Sequence, residues 1–148
     1  MIIELRERWG RQPLWVRWAL TVYLIGFLEG FCAHVFDLAR GGIHAYTAFQ
    51  WIPLQIFFVS LVVLDPLVGV LVGLVRREGI WLAVSVMGMD MCANWMGNWQ
   101  WLRDDPAGLL RPDGLLFINL FGLFVVAFSL PLHRAISGTG ARHLRNSS

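Results

Sequence analysis

Four long apolar stretches, residues 18–37, 51–75, 80–102 and 115–132, fill most of this 148-residue chain, and the charged residues lie mainly between them. A helix crosses a hydrocarbon core in about 20 residues, so each stretch has the length of a span. Only 15% of the residues are charged and 57% are hydrophobic, whereas soluble domains carry about a quarter charged residues. The expected fold is all-α, an integral membrane antiparallel four-helix bundle over residues 18–133. A cytoplasmic N-terminal arm, residues 1–17, precedes it, and a Gly/Ser-rich tail, residues 134–148, is expected to be disordered. The first stretch is too long, and its arginine-bearing arm too polar, for a cleavable signal peptide.

Arginine placement sets the expected orientation in a cell membrane. Nine arginines fall in the arm (Arg6, Arg8, Arg11, Arg17), the second loop (Arg76, Arg77) and the tail (Arg134, Arg142, Arg145). Three fall in loops one and three (Arg40, Arg103, Arg111), and loop three also carries Asp104, Asp105 and Asp113. By the positive-inside rule both termini are cytoplasmic. Trp15, Trp18 and Trp81 then flank the inner interface, and Trp51, Trp99 and Trp101 the outer one. All twelve basic residues are arginine, which reflects base composition rather than nucleic-acid binding; no nucleic-acid partner is expected. Cys32 and Cys92 lie within apolar stretches and form no C-x-x-C pair, so disulfide exchange is disfavoured.

The third stretch contains the run MGMDMCANWMGNW, residues 87–99, with acid and amides at a spacing of four. At 100° per residue, Asp90, Asn94 and Asn98 fall within about 80° of one another, a polar stripe on one helix face. The first stretch gathers Tyr23, Gly26, Glu29, Gly30, Ala33, His34 and Asp37 within about 140°, leaving Leu24, Leu28, Phe31, Cys32, Val35 and Phe36 for lipid. The second gathers Gln55, Phe58, Val62, Asp65, Gly69 and Gly73 within about 80°. Two G-x-x-x-G pairs, Gly26/Gly30 and Gly69/Gly73, lie on these polar sides and favour close packing inside the bundle over a dimer face. A kink is expected at Pro66, which frees the carbonyl of Val62.

Glu29, Asp37, Asp65 and Asp90 lie within the stretches, and His34 is the basic side chain among them. An unpaired charge near a helix centre costs about 2.5–3.5 kcal/mol on insertion scales. Either some of these acids are neutral, or a proton, metal ion or amine-bearing ligand completes the cluster. The expected ligand-binding set is Glu29, His34, Asp37, Gln55, Asp65, Asp90, Asn94 and Asn98, arranged as a column that opens on the outer face. The plainer expectation for Gln55, Asn94, Asn98 and Asn119 is hydrogen-bond glue between helices. Trp95, Trp99 and Trp101 are expected to anchor the interface rather than cage a ligand.

The expected function is binding, with transport as an extension, of a small cationic or amphipathic ligand or a proton. The alternatives are a membrane-embedded acid/base enzyme acting on a lipid or isoprenoid, and an accessory subunit whose acids meet a partner's arginines. Membrane lipid and a small-molecule ligand are the expected partners, with a homo-oligomer or a partner membrane protein as further ones. There is no H-E-x-x-H and a single deep histidine, so neither a metal site nor a cofactor is expected.

Overall fold

The computed structural model describes residues 2–111 and 115–146, with side chains over 3–111 and 115–138. Asp113, one of the acids counted in loop three, lies outside the described residues. Among the described residues there are six α-helices and no strand. They are α1 (Ile2–Gly10), α2 (Leu14–Gly41), α3 (Ile52–Gly73), α4 (Arg77–Gly97), α5 (Trp99–Asp104) and α6 (Leu116–Asn146).

Three regions are long and apolar enough, by length and composition, to cross a membrane: Leu14–His44, Ile52–Gly73 and Leu116–Gly138. Helix α4 has the length, at 21 residues, but the stripe of Asp90, Asn94 and neighbouring glycines dilutes its apolar content. Its end also differs from the expected one. The third stretch is not a single helix to residue 102; α4 stops at Gly97, Asn98 takes a non-helical conformation, and α5 follows as a separate segment. Gly97 sits where any Cβ would run into the Phe49 ring of loop one, so loop one packs closely on α4 at the residue where that helix stops. Helix α3 continues through Pro66 as one helix. Helix α6 passes Leu132, the expected end of the fourth stretch, and runs to Asn146, so residues 134–146 of the tail expected to be disordered are helical.

Helix α2 packs on α3, α3 on α4, α4 on α6, and α6 returns to α2. Neighbours run in opposite directions. On α2 and α6, Trp18 meets Phe128 while Phe27 meets Phe121. On α4 and α6, Trp81 meets His133 while Trp95 bonds Asn119. The Tyr23 hydroxyl, fully buried, donates to the Val125 carbonyl and pins α2 to α6. The interior is apolar, built on Leu20, Tyr23, Leu61, Val68, Ile80, Val125 and Leu132. The outward faces are apolar too: Leu28, Val35, Ile56, Val63, Val70, Leu120, Leu123 and Val126 are all exposed. Water would penalise that much apolar surface, whereas lipid would not. Of the residues assigned to lipid on α2, Leu28, Cys32, Val35 and Phe36 are indeed exposed. Leu24 instead tucks against Gly73 of α3.

Two features close the end of the fold opposite loops one and three. Residues 74–76 alone join α3 to α4, with Val75 at φ 54° and the Arg76 amide donating to Leu71 O at 3.0 Å. The left-handed conformation lets the chain reverse so sharply, and it is unusual for a β-branched residue. Beside this turn the N-terminal arm forms α1, and its Trp9 Nε1 donates to Gly73 O at 2.7 Å. That satisfies one of the carbonyls a helix leaves open at its C-terminus. Trp9→Phe is expected to lower stability by about 1 kcal/mol, the net worth of one hydrogen bond. A lower apparent Tm of the detergent-purified protein would register it.

Candidate functional site

Between the helices, toward loops one and three, lies a cavity of about 740 Å³. Its polar lining comes from three helices and one loop: Glu29, His34 and Asp37 of α2, Asp65 of α3, Asp90 and Asn94 of α4, and Tyr46 of loop one. Six of the eight expected site residues therefore share one space. Gln55 and Asn98 do not line it. The Gln55 amide donates to Phe49 O at 2.7 Å and braces loop one, and the Asn98 amide donates to Asn94 O at 2.9 Å.

The spacing of four along α4 has a local meaning that the periodicity alone did not reveal. Asn94 Nδ2 donates to both the Asp90 carbonyl and Asp90 Oδ1, each at 3.0 Å. Asn98 then repeats the step on Asn94, making a ladder along one helix face. The expectation of interhelical glue is corrected here, because Asn94, Asn98 and Gln55 all bond within their own helix or the segment leading into it. Asn119 is the one that crosses, its Oδ1 accepting from Trp95 Nε1 at 2.9 Å. An i to i+4 amide reaches its own helix more readily than a neighbour's. For Asp90, the result is a carboxylate held in place by Asn94.

Asp65 is placed differently. It is 5% exposed, it faces the cavity, and no donor among the described residues forms a hydrogen bond to its carboxylate. Space for it comes from Gly30 of α2, where an added Cβ would stand 3.0 Å from Asp65 Oδ2. Gly26, one turn earlier, makes room for the Phe121 ring of α6. The first G-x-x-x-G pair thus serves packing within the chain, one glycine admitting an aromatic ring and the other a carboxylate. Gly69, in the second pair, has open space where its Cβ would be.

His34 and Asp37 are joined through a residue that the helix pattern could not supply. The Tyr46 hydroxyl donates to Asp37 Oδ2 at 3.1 Å and lies 2.8 Å from His34 Nδ1. Since that hydroxyl spends its one hydrogen on Asp37, Nδ1 must carry a proton and donate to Tyr46. Burial, reinforced by the Asp37 carboxylate, raises the phenol's pKa well above its ordinary value, so Tyr46 stays a donor. Its ring stacks on Phe58, which stacks on Phe49. Tyr46, Phe49, Phe58, Phe27 and Phe121 give the cavity aromatic walls. None of these five was among the expected site residues; only Phe58 had been placed on a polar face at all.

His34 is the only basic side chain among the described lining residues. Among the described residues no three His, Cys, Asp or Glu side chains are grouped to hold a metal ion. Cys32 and Cys92 are unpaired thiols at the surface. No protein-family model, curated protein or solved structure matches this chain.

Proposed function

We propose that this chain is a multi-pass cell-membrane protein, with α2, α3, α4 and α6 as an antiparallel four-helix bundle and both termini cytoplasmic. Its cavity binds a small organic cation, and moving that cation across the bilayer is the activity such binding would serve. One observation carries the reading: Asp65 is buried, faces the cavity, and lacks a hydrogen-bond donor among the described residues. A carboxylate in that position is expensive unless a positive charge reaches it. Asp90 and Glu29 face the same space, so two or more negative charges repel there until a cation or proton lies between them.

The walls select the kind of cation. Metal ions want several oxygen or nitrogen donors converging at short range, and the described residues do not group that way. Aromatic faces beside a carboxylate suit an ammonium, each ring adding about 0.5–2 kcal/mol of cation–π attraction. Thermal-shift titration with tetramethylammonium and larger alkylammonium ions tests this. A concentration-dependent rise in Tm is expected for at least one of them, and a flat response across the series would refute the proposal.

The chain of His34, Tyr46 and Asp37 favours a second reading, an acid/base enzyme acting on a lipid or isoprenoid. A histidine oriented by a tyrosine at the edge of a cavity can move a proton. Turnover of a lipid substrate that is lost in Tyr46→Phe would favour the enzyme over the binding protein.

A further inference from the structure

The cavity is not closed on all sides. The ring pairs that join α2 to α6 run from Trp18 to Phe27 on α2 and from Phe128 to Phe121 on α6. Along the same seam the cavity is lined by Ile25 and Glu29 of α2 and by Phe117 and Ile118 of α6. Ile25 and Phe117 line the cavity and are also 63% and 61% exposed, so the cavity reaches the outer surface beside α2 and α6. Glu29, likewise lining and exposed, stands at that mouth. Exposed Leu28 and Leu120 lie nearby in sequence, on the faces that would meet acyl chains.

We infer that the ligand is a cationic amphiphile, an alkylammonium whose head lies at Asp65 and Asp90 and whose hydrocarbon chain leaves through the α2–α6 seam between Ile25 and Phe117. This rests on the organic-cation reading and narrows it. The two ends of the cavity differ in the way such a ligand requires. Around Asp65 are carboxylates and aromatic rings, which suit a desolvated ammonium. At the seam the walls are aliphatic and aromatic with one acid, Glu29, which can meet the head as it enters. A short, fully water-soluble cation has no use for a lateral mouth bordered by Ile25 and Phe117, whereas an amphiphile partitions into the bilayer first and arrives there already concentrated.

The full chain in dodecyl maltoside, whose headgroup is uncharged, can be titrated by equilibrium dialysis with radiolabelled tetramethyl-, hexyltrimethyl- and dodecyltrimethylammonium. Protein-free micelles provide the partition correction. Affinity is expected to rise along the series beyond that correction, reaching at least tenfold from the first probe to the last. Asp65→Asn is expected to weaken all three at least tenfold. Ile25→Trp, a change at an exposed position that narrows the seam, is expected to weaken dodecyltrimethylammonium at least fivefold more than tetramethylammonium. Equal corrected affinities across the series, in the wild-type chain alone, would overturn the amphiphile while leaving the cation site standing. So would equal effects of Ile25→Trp on the shortest and longest probes. Absence of saturable binding by any probe, or indifference to Asp65→Asn, would overturn the cation site as well.

Discussion

Asp65→Asn is expected to reduce organic-cation affinity about a hundredfold and to leave the unliganded protein as stable as before, or more so. A close, desolvated charge pair is worth several kcal/mol in binding, and about 3 kcal/mol corresponds to a hundredfold in Kd. In the unliganded protein the same carboxylate is a liability, because it is 5% exposed and receives no hydrogen bond among the described residues. Asparagine keeps the shape against Gly30 and removes the charge. Binding and stability should therefore move independently, the first falling and the second holding. Asp90→Asn should cost less affinity, about tenfold, since Asn94 already shares that carboxylate. Thermal unfolding and cation titration on the same preparations decide the matter. A parallel loss of Tm and affinity in Asp65→Asn would mark Asp65 as a structural residue and remove the basis for the binding site.

The largest effect on stability is expected at Gly79, far from the cavity. A Cβ there would stand 2.8 Å from Leu71 C, from Leu71 Cβ and from Val72 N. Two of those atoms are backbone, which cannot rotate away as a side chain can. The turn of residues 74–76 is already drawn tight, with Val75 in the left-handed region. Gly79→Ala must push the ends of α3 and α4 apart, at a cost of about 3 kcal/mol, the upper part of the range for overpacked interiors. Gly69→Ala supplies the contrast, since nothing lies within 4 Å of its added Cβ. Alanine in a helix is favoured over glycine by about 1 kcal/mol, so this variant should be neutral or slightly stabilising. Size-exclusion profiles after graded heating would separate the two. Similar profiles for both would mean that the α3–α4 crossing is looser than its geometry implies.

Much of the helical layout is legible in the sequence because long apolar runs and a period of 3.6 residues are properties of contiguous chain. The polar sides of α2, α3 and α4 follow from that period, and Glu29, His34, Asp65 and Asp90 do line one cavity. What could not be read there depends on contacts made by residues distant in sequence. Tyr46 comes from a loop with no periodicity and reaches back to His34 and Asp37. Gly30 looks like a generic packing residue until Asp65 is seen against it. Trp9 sits in what reads as a charged arm, 64 residues from the carbonyl it caps. The Asp90, Asn94, Asn98 spacing was visible, but a helical wheel shows only direction, not which backbone atom an amide prefers. Glu29 marks the same limit from the other side: a wheel groups it with buried neighbours, whereas it stands at an exposed edge.

In the proposed four-span arrangement, the three-residue turn between α3 and α4 also governs how the chain would enter a bilayer. Helix α3 is the most apolar of the three regions capable of crossing unaided, and α4, with Asp90 and Asn94, is not among them. Residues 74–76 cannot span the distance needed to hold one helix in lipid while the other waits outside. In the proposed four-span reading the pair inserts together as a helical hairpin, the greasy partner drawing the polar one across. Lengthening that turn with a flexible insert would release α4 to remain at the surface, and glycosylation reporters placed in loop three would then detect chains whose third crossing never formed.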